Sequence, residues 1–107
     1  MSIQAPEFTM VVTDDLGWAN VAVIGELDLA TADELQETLR DELQDGRSVV
    51  VDLSRVQFVD SSGITAILRA MAIAREMDLG FALRASLPKP VERVARICGV
   101  LGEIPVV

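Results

Sequence analysis

Three consecutive β-branched residues, Val49-Val50-Val51, constrain the fold of this chain more than any other feature. A continuous run of this kind is typical of a strand buried on both faces of a parallel sheet. Before the run, Leu35, Leu39 and Leu43 repeat every four residues; after it, apolar residues recur at helical spacing from Ile64 to Met71. Strands that alternate with helices need crossover connections, so we expect a parallel α/β sheet.

The remaining patterns predict the order ββαβαβαβ. Alternating residues indicate an antiparallel hairpin, with strands at 8–13 and 18–25 around a turn at 14–17. Further strands are expected at 48–53, 81–85 and 104–107, with a loop at 54–60. Helices are expected at 31–45, from Ser61-Ser62-Gly63 to Asp78, and from Pro88 to Gly99. We therefore predict one domain, 1–107, with a small mixed β-sheet, mostly parallel after its N-terminal antiparallel hairpin, covered by helices.

Two local assignments accompany this prediction. Thr31 and Glu34 match a capping box, which places the start of the first helix at Thr31. Cys98 continues the apolar stripe of Val91 and Val94 on the third helix, so we expect its side chain to be buried.

Composition excludes several function classes. With 17 acidic and 9 basic residues, the net charge is −8, the opposite of what nucleic-acid or polybasic membrane binding requires. The absence of histidine excludes Ser-His-Asp and Cys-His catalysis, and one cysteine cannot form a thiolate metal cage. We expect no cofactor, because no nucleotide-cradling glycine motif occurs. The N-terminal sequence lacks signal-peptide features, which indicates a cytoplasmic protein.

The segment Asp60-Ser61-Ser62-Gly63 lies between the buried strand and the second long helix. A serine there can cap the helix, or it can be phosphorylated where free N–H groups favour an anion. Two adjacent serines allow both roles, with Ser62 capping and Ser61 facing solvent. Position alone favours the cap.

Acidic residues also follow the second strand, where Glu26 and Asp28 could join Asp60 in a metal site. Three carboxylates without a phosphate-cradling loop give weak support for magnesium. Loop acids near an interface are the favoured interpretation.

Several of these segments together resemble the STAS domain, and most closely the bacterial anti-sigma-factor antagonists. The resemblance rests on Gly25-Glu26-Leu27-Asp28, on Val49 to Ser54 and on Phe58 to Gly63. It extends from about Phe8 to Ile104. The Asp-Ser-Ser-Gly segment about 32 residues after Asp28 makes the combination specific.

The resemblance implies a phosphorylation switch without catalysis by this chain. The unphosphorylated antagonist would bind an anti-sigma factor that is a serine kinase and so free a sigma factor. The kinase would phosphorylate Ser61, and a serine phosphatase would reverse the modification. We expect the partner surface to include the residues around the two strand ends, namely Asp28, Asp60, Ser62, Gly63 and Thr65.

Two other functions remain open at this point. A STAS module of a transporter or sensor assembly would share the fold but would not be phosphorylated at Ser61. A magnesium-dependent phosphotransfer or receiver-like domain would use its acidic residues directly. Such a domain usually also needs a lysine near the end of the sheet, and Lys89 is a poor candidate for that position.

Overall fold

A computed structural model describes residues 8–107 and shows a mixed α/β fold. Within this range, the strands are β1 (Thr9–Asp15), β2 (Trp18–Leu27), β3 (Val49–Val59) and β4 (Phe81–Leu83). The helices are α1 (Leu29–Gln44), α2 (Ser61–Glu76) and α3 (Lys89–Ile97), followed by a 3-10 turn at Val100–Gly102.

The strands form one sheet in the order β1-β2-β3-β4. β1 pairs with β2 antiparallel, whereas β2 with β3 and β3 with β4 are parallel. The predicted mixed sheet with an N-terminal hairpin is therefore confirmed. α1 follows β2, α2 follows β3, and the two helices pack against each other.

The core lies between the sheet and the helices. Every second residue of β2 is buried, and Leu35, Leu39 and Leu43 of α1 are fully buried, as their spacing predicted. Val49, Val50 and Val51 are all buried, which confirms the central strand. Burial of large aliphatic side chains contributes about 1.5–3 kcal/mol each, so this layer accounts for much of the stability.

β3 is longer than the sequence predicted, since the expected loop at 54–60 continues the strand to Val59. Two bulges interrupt the alternation of buried and exposed residues by which a sequence indicates a strand. The register with β2 shifts between Ala22 and Ile24 and again between Gly25 and Glu26, and each shift adds one residue to β3. The buried residues are consequently Leu53, Val56 and Val59, three apart instead of two. Gly25 has φ +104°, a conformation that suits glycine at a bulge.

The structure also differs from the sequence prediction in the C-terminal part of the chain. Cys98 is exposed, because α3 ends at Ile97 and Val91 and Ala95 form its buried face instead. β4 ends at Leu83 rather than at residue 85. The expected last strand is reduced to a single parallel bridge between Leu83 and Val106.

Across residues 8–107, no helix combines the length and the apolar character needed to cross a membrane.

We predict that Leu39→Ala lowers the free energy of unfolding by about 2–5 kcal/mol, because it leaves a cavity in the core. The matched control is Glu37→Ala on the exposed side of the same helix, which should change stability by less than about 0.5 kcal/mol. Urea denaturation followed by circular dichroism measures both. Equal losses in the two variants would contradict the packing of α1.

Candidate functional site

The candidate site lies where β2 and β3 end side by side. Leu27 pairs with Val59, and these are the last residues of their strands. The residue that follows each strand is an aspartate that caps the next helix. The backbone N–H of Asp60 donates to the carbonyl of Leu27 at 3.2 Å. The topology therefore places the N-termini of α1 and α2 next to each other at the carboxyl ends of parallel strands, where ligands and partners of α/β sheets bind.

Asp28 is the N-cap of α1. Its carboxylate accepts a hydrogen bond from the N–H of Ala30 at 3.0 Å, and its own N–H donates to Thr31 Oγ1 at 3.0 Å. The prediction that Thr31 begins the helix was wrong. The helix starts at Leu29. Thr31, three residues after the N-cap Asp28, is the reciprocal partner in the capping box.

Asp60 is the N-cap of α2. One oxygen, Oδ1, accepts from the N–H of Ser62 at 2.9 Å and from the N–H of Gly63 at 3.3 Å. The expected cap at Ser62 was therefore wrong: Ser62 is already the second helical residue, and Asp60 accepts from the N–H groups of the second and third helical residues.

Ser61 is the first residue of α2, and its side chain is exposed. Among the described residues, neither its hydroxyl nor that of the half-buried Ser62 has a hydrogen-bond partner. Thr65 is exposed one turn later, and its hydroxyl donates to the carbonyl of Ser61 at 2.8 Å. With the Asp60 carboxylate engaged by the backbone, the hydroxyl of Ser61 is left free for chemistry.

Gly63 sets the distance between the two helix starts. A Cβ atom at this position would lie 2.5 Å from Cγ of Leu27 and 3.1 Å from its carbonyl oxygen. Leu27 is fully buried and precedes Asp28 directly, so any larger residue at 63 would push α2 away from the β2–α1 junction.

Two exposed apolar side chains lie near the ends of β2 and β3, and sequence reasoning missed both. Leu29, the first residue of α1, is 76% exposed, and Phe58 at the end of β3 is 49% exposed. Leu29 and Ser61 line the same groove between α1 and α2, together with Asp33, Thr65 and Arg69. Phe58 pairs with Glu26, while their neighbours Leu27 and Val59 point into the core, so Phe58 lies on the opposite sheet face.

The acidic residues do not form a metal centre in the part of the chain that the structure describes. No group of three or more potential ligands is close enough to hold an ion within residues 8–107. The carboxylates of Asp28 and Asp60 instead accept hydrogen bonds from the first turns of their own helices.

Comparison with known proteins identifies the family of this chain. The family profile described as "Mlab, STAS domain" matches residues 12–106. The chain belongs to the STAS-domain family. The anti-sigma-F factor antagonist RsfB of Mycobacterium tuberculosis is 34% identical over 91 residues, which span 81% of this STAS domain and 74% of that protein. These matches identify a member of the anti-sigma-factor antagonist branch, whose proteins are regulatory binding proteins and not enzymes.

Solved structures share the fold of this STAS domain. An anti-sigma factor antagonist from Mycobacterium paratuberculosis superposes with a TM-score of 0.80 at 26% identity, over 94% of this chain and 85% of that one. Bacillus SpoIIAA in its phosphorylated form gives a TM-score of 0.69 at 17% identity, over 94% and 91% of the two chains. At the latter identity, the likeness shows the fold alone.

We predict that Asp60→Ala lowers the free energy of unfolding by about 0.5–2 kcal/mol, because two N–H groups at the start of α2 lose their acceptor. Ser62→Ala is the matched control, since its hydroxyl caps nothing, and it should change stability by less than about 0.5 kcal/mol. Thermal and urea unfolding measure both variants. A larger loss for Ser62→Ala than for Asp60→Ala would contradict the cap assignment.

Proposed function

We propose that this STAS domain is an anti-sigma-factor antagonist controlled by phosphorylation of Ser61. Unphosphorylated, it binds an anti-sigma factor that is a serine kinase, which frees a sigma factor for transcription. Phosphorylation at Ser61 breaks the complex, and a serine phosphatase restores it. The observation that carries the proposal is the exposed hydroxyl of Ser61 at a helix start whose N–H groups are already bonded to Asp60.

The choice of Ser61 over Ser62 rests on access. Ser61 is exposed, whereas Ser62 is half-buried between its neighbours. A kinase must bring the hydroxyl into its own active site, which favours the more exposed of the two serines. The name of RsfB, the mycobacterial relative, supports the partner class, since it is an antagonist of an anti-sigma factor.

The proposed partner surface combines polar groups with two apolar anchors. Leu29 and Phe58 expose large side chains beside the strand ends, and such side chains contribute strongly once a partner excludes water from them. The polar residues of this surface are Asp28, Asp60, Ser62 and Thr65. Buried Gly63 contributes indirectly, since its contact with Leu27 fixes the spacing of the two helix starts.

A phosphoryl group at Ser61 would find little local compensation. It adds about −1.5 to −2 charges at neutral pH. The N–H groups of Ser62 and Gly63 are already bonded to the Asp60 carboxylate, which is itself negative. Arg69 lines the same groove but lies eight residues further along α2, about 12 Å by helical rise.

That uncompensated charge is enough to act as a switch. A partner surface that fits a neutral hydroxyl would have to desolvate an unpaired dianion, which costs several kcal/mol. About 3 kcal/mol weakens binding a hundredfold. The mechanism therefore requires no refolding of the antagonist.

The chemistry of the cycle belongs to the partners in this proposal. The kinase supplies ATP and magnesium, and the phosphatase removes the phosphate, so the chain itself uses no cofactor. Because the sigma factor that it frees acts in transcription, we propose that the protein acts in the cytoplasm.

We predict that Ser61→Ala is not phosphorylated and still binds an anti-sigma-factor kinase of the same organism, so binding becomes insensitive to ATP. Ser61→Asp adds one negative charge, less than a phosphate, and should weaken binding partially. Intact-mass analysis with Mg-ATP detects phosphorylation, and calorimetric titration measures binding. Ser86→Ala, an exposed serine in the loop before α3, is the matched control and should behave like the unmodified protein.

Two outcomes would contradict this assignment. Phosphate on Ser62 with Ser61 unmodified would reverse the roles of the two serines. No phosphate on either serine, with every anti-sigma-factor kinase of the organism tested, would favour a STAS module of a transporter or sensor assembly.

We predict that Leu29→Ser weakens kinase binding at least about tenfold, because it removes an apolar anchor. Its effect on the melting temperature should be small, since the side chain is 76% exposed. Leu16→Ser is the matched control: Leu16 is 97% exposed in the turn between β1 and β2, at the other end of the sheet. Asp28 is a less suitable probe, because its replacement also removes the cap of α1. Equal binding by the two leucine variants would place the interface elsewhere.

A further inference from the structure

A basic, partly apolar row lies on the outer side of α3. Lys89 and Arg93 are exposed, and Ile97 is 78% exposed, although the chain as a whole carries a net charge of −8. The three residues follow one another at intervals of four, so they form a single row along the helix. Together with Glu92 and Arg96 they line one surface concavity.

A row of opposite charge lies on α1. Leu29, Asp33 and Glu37 are all exposed and are also spaced four residues apart. Each row consists of two charged residues with one apolar residue at one end. In the α1 row the apolar residue is at the N-terminal end, and in the α3 row it is at the C-terminal end.

From these two rows we infer that the chain associates with a second copy of itself, α3 of one copy lying antiparallel on α1 of the other. In that orientation Ile97 meets Leu29, Arg93 faces Asp33 and Lys89 faces Glu37. All three contacts form together, because both rows advance about 6 Å per step. In a parallel orientation, Ile97 would face Glu37 and Lys89 would face Leu29, so the pattern selects the antiparallel arrangement.

Charge elsewhere keeps the association weak. Two copies with a net charge of −8 repel each other, and Arg40 and Arg69 also border the acidic row of α1. Salt screens the repulsion as well as the attraction, so salt dependence cannot test the contact. Exchanging the charges of the paired residues does test the contact. The two rows differ, so the pairing either closes a two-fold dimer through two identical contacts or extends into a chain of copies.

The lone cysteine provides a direct test of the register. Cys98 is exposed one residue after Ile97, and a nitroxide spin label attached there would sit at the apolar end of the α3 row. Spin-labelled protein without isotopes is mixed with ¹⁵N-labelled Cys98→Ser protein at about 1 mM, where millimolar complexes are populated. We expect intermolecular broadening of amide signals to be strongest at 29–33 and to fall off towards 41–44. Broadening centred on residue 37 or beyond it, where the parallel orientation places Ile97, or none beyond that seen with free nitroxide, would overturn the proposal.

Charge exchange tests the central pair. Arg93→Glu and Asp33→Arg should each weaken self-association at least about tenfold, because each places like charges opposite one another. The double variant should recover most of the loss, since the pair is restored with its signs reversed. Arg96→Glu is the matched control: Arg96 lies off the row and pairs with Glu92 at 2.5 Å within its own helix.

Sedimentation velocity over a concentration series measures these changes, and circular dichroism verifies that each variant is folded. Failure of the double variant to recover association would overturn the Arg93–Asp33 contact. Equal association by all variants would overturn the role of these rows altogether. Neither result depends on phosphorylation of Ser61 or on a kinase, so the test is independent of the proposed function.

Discussion

The parallel pairing of β2 with β3 at their carboxyl ends is the constraint on which the rest of the site depends. The hydrogen bond from the Asp60 N–H to the Leu27 carbonyl joins the two strand ends, and the absence of a side chain at Gly63 lets α2 approach Leu27. Both helices therefore begin next to each other, each with an aspartate cap. Ser61 is presented beside Leu29 by backbone geometry alone, before any partner arrives.

Much of the fold could be predicted from the sequence, because apolar spacing reflects burial directly. The run Val49–Val51 and the row Leu35, Leu39 and Leu43 predicted the central strand and the packed face of α1 correctly. The end of β3 could not be predicted in this way. Its bulges place buried residues three apart, at Leu53, Val56 and Val59, and this spacing is typical of neither a regular strand nor a regular helix.

The start of the second long helix was predicted more accurately than the hydrogen bonds that cap it. The segment from Asp60 to Gly63 does start a helix at a strand end, but the cap belongs to Asp60 and not to Ser62. Aspartate and serine are comparably good caps, so residue preference alone cannot decide between neighbours. The exposed apolar residues Leu29 and Phe58 were missed for a related reason: exposure depends on which face a bulge or a helix start turns outward. Leu29 also belongs to the row proposed for self-association, so a second copy and a kinase would compete for it.

The two bulges also determine how this part of the chain tolerates changes in length. Side chains of a regular strand alternate between faces, so loss of the extra residue Gln57 would place Val59 two residues after Val56 and leave both side chains facing the core. A substitution at Gln57, which is exposed, leaves that facing intact. The two bulges are therefore the positions at which β3 can lose one residue without reversing which of its side chains face the core.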